Sequence, residues 1–204
     1  FWTGMESLES KRPGSYRRFV QAYAACCSFG DASVGRLIKA LDRSGQSGNT
    51  IIVVWSDHGF HLGEKDHIEK FALWEKANHV PLIIVDPRKS KSVGKVCSSP
   101  VDLTALYPTL LDLCGLPANP ANDGISVASQ VSDPTRPIAR PALMTYGLGN
   151  HAVRTERWRY IRYADGTEEL YDHERDPNEW NNLAREPQYR KVIEEHAEWM
   201  PKTN

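Results

Sequence analysis

Several kinds of residue and pattern are scarce in this chain of 204 residues, and each scarcity narrows what it can be. No apolar run approaches the roughly 20 residues that span a bilayer, so no transmembrane helix is expected. Charge of one sign is not in excess: 25 Lys and Arg stand against 26 Asp and Glu. A net charge of −1 supplies no field for a nucleic-acid backbone, and a nucleic-acid partner is not expected. Cysteine is sparse, with Cys26 and Cys27 adjacent and Cys97 and Cys114 isolated. None forms a Cys-x-x-Cys pair, which argues against a zinc knuckle or a disulfide framework and for buried thiols. No Asn-x-Ser/Thr sequon is present. The opening Phe1-Trp2-Thr3-Gly4 carries neither an initiator Met nor the build of a signal peptide, so the chain is expected to begin within a longer reading frame.

What is present is the composition of a globular protein, 40% hydrophobic and 25% charged. From Tyr16 to Leu41, apolar residues fall three and four apart, which predicts an amphipathic helix ended by Ser44-Gly45. Ile51–Trp55 and Val80–Val85 are short β-branched runs of the kind buried on both faces of a parallel sheet. Val101–Leu113 reads as a second helix, with a possible kink at Pro108, and Pro117–Pro141 as a long surface connection. Trp158, Tyr160 and Tyr163 lead into Asp165-Gly166 and out through Glu169-Leu170-Tyr171, a hairpin with a two-residue turn. Its alternating arginines predict one solvated and one buried sheet face. A last helix is expected within residues 186–200.

Chemistry concentrates in Ser56-Asp57-His58-Gly59-Phe60-His61, at the end of the first strand run, the edge where open α/β sheets bind ligands. A carboxylate and an imidazole side by side, followed by a glycine, suit one metal or one anion. Lys70 adds a cation, and the second strand run follows His79 at once.

In order along the chain, Asp31-Ala32-Ser33-Val34-Gly35-Arg36, Ser56-Asp57-His58-Gly59, Lys70, His79-Val80-Pro81-Leu82 and Asp102-Leu103-Thr104-Ala105-Leu106-Tyr107-Pro108 are followed by Glu169-Leu170-Tyr171-Asp172, Asp176-Pro177 and Asn181-Asn182-Leu183-Ala184. Together they resemble the sulfatase family of the alkaline phosphatase superfamily, in its iduronate-2-sulfatase-like branch. The resemblance implies an α/β fold: the second half of an alkaline-phosphatase-like mixed sheet flanked by helices (residues 1–140), then a small antiparallel C-terminal subdomain with a terminal helix (residues 141–204). It implies hydrolysis of a sulfate monoester, with a sulfated small molecule or carbohydrate as partner. Asp57 and His58 would bind the metal, calcium in the family, and Lys70 would be the catalytic cation on the sulfate. Phe60, His61, His79 and His151 are the candidate substrate contacts.

Two features hold alternatives open. Calcium prefers oxygen ligands and imidazole suits zinc, so a zinc-dependent phosphodiesterase or phosphatase of the same superfamily is the rival enzyme. The family's nucleophile, a formylglycine made within Cys/Ser-x-Pro-x-Arg, has no counterpart here, since Cys97-Ser98-Ser99-Pro100 spaces its proline wrongly and lacks the arginine. The N-terminal half of the same protein is therefore the expected partner that supplies it; a non-catalytic half-sulfatase binding module is the other reading. A periplasmic, secreted or lysosomal location is implied by the resemblance alone.

Overall fold

The computed structural model describes residues 2–202; Phe1, from the opening motif above, lies outside them. Helix α1 (Trp2–Lys11) stops where Arg12-Pro13-Gly14 breaks the helical ladder, and α2 (Ser15–Ser44) follows. It ends at Gly45, whose φ of 73° is the left-handed conformation that closes a helix and favours glycine. The helix expected from residues 16–41 is therefore present. It carries no buried residue, which is why Cys26 and Cys27 lie exposed. Cys114 is exposed too and Cys97 half-buried, so the expectation of four buried thiols is corrected.

Strands β1 (Ile52–Trp55) and β4 (Leu82–Val85) coincide with the two apolar runs, but they pair antiparallel, Ile52 opposite Val85 and Trp55 opposite Leu82. The parallel arrangement fails for a physical reason. A parallel pair needs a crossover element lying along the sheet, whereas the segment between these strands contains the short hairpin β2 (His61–Leu62) and β3 (Ile68–Glu69), joined by a 3-10 turn at Glu64–Asp66, and the one-turn helix α3 (Glu75–Asn78). Nor is the ribbon buried on both faces: Trp55, Ile83 and Val85 are exposed.

Helix α4 (Leu106–Cys114) begins later than expected, after a single 3-10 turn at Leu103–Ala105. Pro108 thus falls in its first turn, where a missing N–H removes no intrahelical bond, and it gives no reason for a kink. The connection at 117–141 is irregular apart from the short α5 (Ala128–Ser132).

The best-packed part is a four-stranded antiparallel meander, β5 (Ala142–Thr145), β6 (His151–Arg154), β7 (Trp158–Arg162) and β8 (Glu168–Asp172). The β7–β8 turn spans three residues rather than two. Tyr163 N–H donates to the Thr167 carbonyl, and Gly166 at φ 84° supplies the left-handed residue that such a loop requires. One face of the sheet (Val153, Tyr160, Leu170) packs on the terminal helix α6 (Arg190–Ala197) through Ile193 and on Met200. The other (Ala152, Ile161, Tyr171) packs on Leu73 and Trp74 from the segment between β3 and α3. Both faces are therefore covered, and the arginine-bearing face is not the solvated one. Arg159 is 1% exposed. No described helix is long and apolar enough to cross a membrane.

Candidate active site

The end of β1 is held as a tight corner. The Ser56 hydroxyl donates to the His58 carbonyl at 2.9 Å, and the Gly59 N–H donates to the Ala77 carbonyl of α3 at 2.7 Å. Glycine is required there by close approach, because a Cβ at Gly59 would sit 2.1 Å from the Lys76 carbonyl oxygen. Its backbone angle is not left-handed, so proximity rather than conformational freedom explains the residue.

This corner orients His58. Its Nδ1 lies 2.8 Å from the Gly59 carbonyl oxygen, so Nδ1 carries the proton and Nε2 keeps its lone pair. Nε2 in turn lies 2.9 Å from Lys70 Nζ and 3.4 Å from Asp57 Oδ2. A ring N–H held by a backbone carbonyl fixes the tautomer in which the opposite nitrogen can ligate a metal; here that nitrogen accepts from the Lys70 ammonium. The Asp57 carboxylate beside it is largely exposed. The donor set, one carboxylate oxygen and one imidazole nitrogen, therefore fits a divalent cation.

Lys70 is delivered by a strained segment. Lys65, Asp66 and Glu69 all have positive φ, uncommon for residues with side chains and concentrated at functional sites. The anchor is Lys65, whose ammonium lies between the rings of Trp74 (4.8 Å) and Tyr171 (4.7 Å). It also donates to the Tyr171 hydroxyl at 3.1 Å and to the Glu179 carbonyl.

Beneath lies a buried ion-pair network. The Glu75 carboxylate, at the start of α3, accepts from Arg159 and, at 3.2 Å, from Arg154. Glu179 pairs with Arg159 Nε at 2.7 Å and lies 2.9 Å from His173 Nε2, while its other oxygen accepts the Glu75 N–H at 2.8 Å. Burial alone would push the Glu75 carboxyl up, but the Arg159 and Arg154 guanidiniums outweigh it and hold it at about 2. The carboxylates of Glu75 and Glu179 and the imidazole of His173 cluster closely enough to hold an ion, but the Arg159 and Arg154 guanidiniums already balance the two negative charges. The network clamps α3 to the four-stranded sheet.

Of the seven residues singled out in the sequence, Asp57, His58 and Lys70 converge. Phe60 follows them, half-buried, with its ring against Phe19 and Tyr23 of α2. His61 has no exposed surface; its ring meets His67 and Trp74 edge-on, and burial pushes its pKa down. His151 is buried in β6, its Nδ1 2.9 Å from the Thr145 hydroxyl. In this structure neither of these two histidines presents a surface to a ligand. His79 is exposed and lies 3.2 Å from the Glu75 carboxylate. Sequence reasoning missed Glu75, Arg159 and Glu179. The only signal was the placement of arginines on the same sheet face as Tyr171, and their partners lie far away along the chain.

The protein class follows from comparison with known proteins. The sulfatase family model matches residues 4–116, and the model for the C-terminal region of N-sulphoglucosamine sulphohydrolase matches residues 63–204. The chain belongs to the sulfatase family. It is 44% identical to a sulfatase of Formosa agariphila over 191 residues, 94% of this chain and 37% of that protein. Among solved structures, BT4656 in complex with its substrate D-glucosamine-2-N,6-O-disulfate superposes with a TM-score of 0.76 at 27% identity, over 90% of this chain and 40% of that one. The phosphonate monoester hydrolase of Agrobacterium radiobacter superposes with a TM-score of 0.74 at 25% identity, over 82% and 37%. The fold is the mixed α/β fold of alkaline-phosphatase-like sulfatases. The chain spans 37, 34 and 40% of the length of three of the curated relatives it matches, less than half in each case.

Proposed function

We propose that the protein is a sulfuric ester hydrolase acting on a sulfated carbohydrate, and that this chain contributes part of its active site. The observation that carries the reading is the convergence of the Asp57 carboxylate, the His58 Nε2 lone pair and the Lys70 ammonium at one strand end. Asp57 and His58 would hold a divalent cation, which when bound supplies Lewis-acid polarisation and a template for the ester. Lys70 places a positive charge where a sulfate oxygen gains negative charge, a preorganised interaction worth about 3 kcal/mol in comparable sites. The strained backbone before it and the Lys65 anchor hold that charge in place. The formylglycine nucleophile and remaining metal ligands are assigned to the rest of the protein. Residues 1–140 are read as the C-terminal portion of the catalytic α/β domain and 141–204 as its small subdomain. A saccharide substrate is supported by BT4656, whose substrate is a sulfated glucosamine. Phe60 and His79 retain surface for substrate contact; His61 and His151 reach a substrate only through rearrangement.

Calcium is the family expectation. Zinc phosphoester chemistry is the second reading, favoured by the nitrogen ligand His58 and by the likeness to a phosphonate monoester hydrolase. The full-length protein is chelated, then assayed on matched aryl sulfate and aryl phosphate diester with calcium or zinc restored. Sulfate release restored by calcium supports the sulfatase. Phosphodiester cleavage restored by zinc, without sulfate release, replaces it with the second reading.

A further inference from the structure

Beside the candidate site, two aromatic rings face solvent together. Phe71 directly follows Lys70, and its ring centroid lies 5.6 Å from Lys70 Nζ. Tyr146, in the turn between β5 and β6, brings its ring to 5.9 Å from that of Phe71, tilted by 41°. Phe71 is 53% exposed and Tyr146 48%. Single exposed apolar side chains need no explanation, but two large rings in contact, from elements 75 residues apart and next to a cation, form a patch. The turn bearing Tyr146 is firmly set: its N–H donates to the Asn150 carbonyl at 3.0 Å, and the Asn150 side chain accepts from the Ala164 N–H at 3.1 Å.

We propose that Phe71 and Tyr146 form a stacking platform for the sugar ring whose sulfate ester is presented to Lys70, making both specificity-determining residues for a sulfated saccharide. The inference rests on the sulfatase reading above. A sulfated pyranose has three recognisable parts: an anionic ester, a rim of hydroxyls and a face of C–H groups. The Lys70 ammonium matches the first and the ring faces match the last, since aromatic rings carry negative charge on their faces and bury apolar area with few rotatable bonds. The platform lies one residue from the charge that grips the ester, which is where the sugar bearing that ester must lie.

The test uses the full-length enzyme with N-acetylglucosamine 6-sulfate, galactose 6-sulfate and glucose 6-sulfate as probes, and inorganic sulfate as a competitive inhibitor. Phe71→Ala and Tyr146→Ala each raise KM for the accepted sugar sulfate roughly tenfold, the loss of one aromatic contact, while inhibition by inorganic sulfate stays the same. Tyr146→Phe restores the KM lost in Tyr146→Ala. An unchanged KM, with or without a lower melting temperature, overturns the platform and leaves the sulfatase reading intact. So does an equal weakening of inorganic sulfate inhibition, because the rings would then act through Lys70. Hydrolysis of an aryl sulfate by the wild type with none of the three sugars, nor their 2-sulfate isomers, accepted overturns the saccharide reading, and the platform with it.

Discussion

His58 Nε2 and Lys70 Nζ lie 2.9 Å apart, an imidazole lone pair facing an ammonium. The contact depends on the His58 tautomer set by the Gly59 carbonyl, and it brings the atom proposed to ligate the metal and the charge proposed to bind sulfate to one point. Removing the charge should therefore impair turnover more than folding. Lys70→Ala lowers kcat/KM by about 100- to 1,000-fold, the effect of losing one preorganised donor. Lys70→Arg does not restore it, since a planar fork does not reproduce a point charge. Steady-state kinetics on an aryl sulfate, beside a melting curve, checks this.

The corner that orients His58 has its own test. Gly59→Ala drives a methyl group into the Lys76 carbonyl, so β1 and α3 must separate. The expected result is loss of both metal affinity and stability. Gly166→Ala, in the open β7–β8 turn at φ 84°, meets only the left-handed backbone penalty of about 1 kcal/mol and leaves metal content unchanged.

The clamp between Glu75 and Arg159 predicts a stability effect. Arg159 is buried, and Glu75→Gln leaves Arg159 and Arg154 with the Glu179 carboxylate as the one remaining buried counterion, at about 3 kcal/mol in denaturant unfolding. The double variant with Arg159→Met loses less than the sum of the two singles, because the two groups share one interaction.

Glu75 also makes stability depend on acid. Its carboxyl sits at about 2 when folded against an ordinary 4.5, so its contribution is fully present above pH 4.5 and lost as pH falls toward 2. The loss over that window is about 3 kcal/mol. Burial likewise depresses His61 and His196, whose contributions are present above pH 6.5 and begin to fade below it. Urea midpoints between pH 8 and 3 should decline gently at first and steeply below 4.5, and Glu75→Gln should flatten only the steep part.

How far these features were legible in the sequence follows from how local they are. Helix α2 was legible because its three-and-four spacing and its Gly45 stop are properties of adjacent turns. The convergence of Asp57, His58 and Lys70 was legible because a strand end concentrates them within a short segment. The antiparallel direction of β4 was not, because it depends on where the intervening segment packs rather than on either apolar run. The arginine face was misread for the same reason: Arg159 finds Glu75 84 residues away, and only the folded sheet brings them together. The three-residue turn differs from the expected two by one residue, since Asp-Gly fits either loop and the strand register decides.

The central claim is that Asp57 and His58 hold a divalent cation needed for sulfate ester hydrolysis. Its most direct test is the metal content of desalted full-length protein, wild type against Asp57→Ala, measured alongside sulfate release from an aryl sulfate. The account predicts that the wild type retains a divalent ion and releases sulfate, and that Asp57→Ala loses both while its melting temperature matches that of the chelated wild type. An Asp57→Ala protein that keeps its metal and its activity would contradict it.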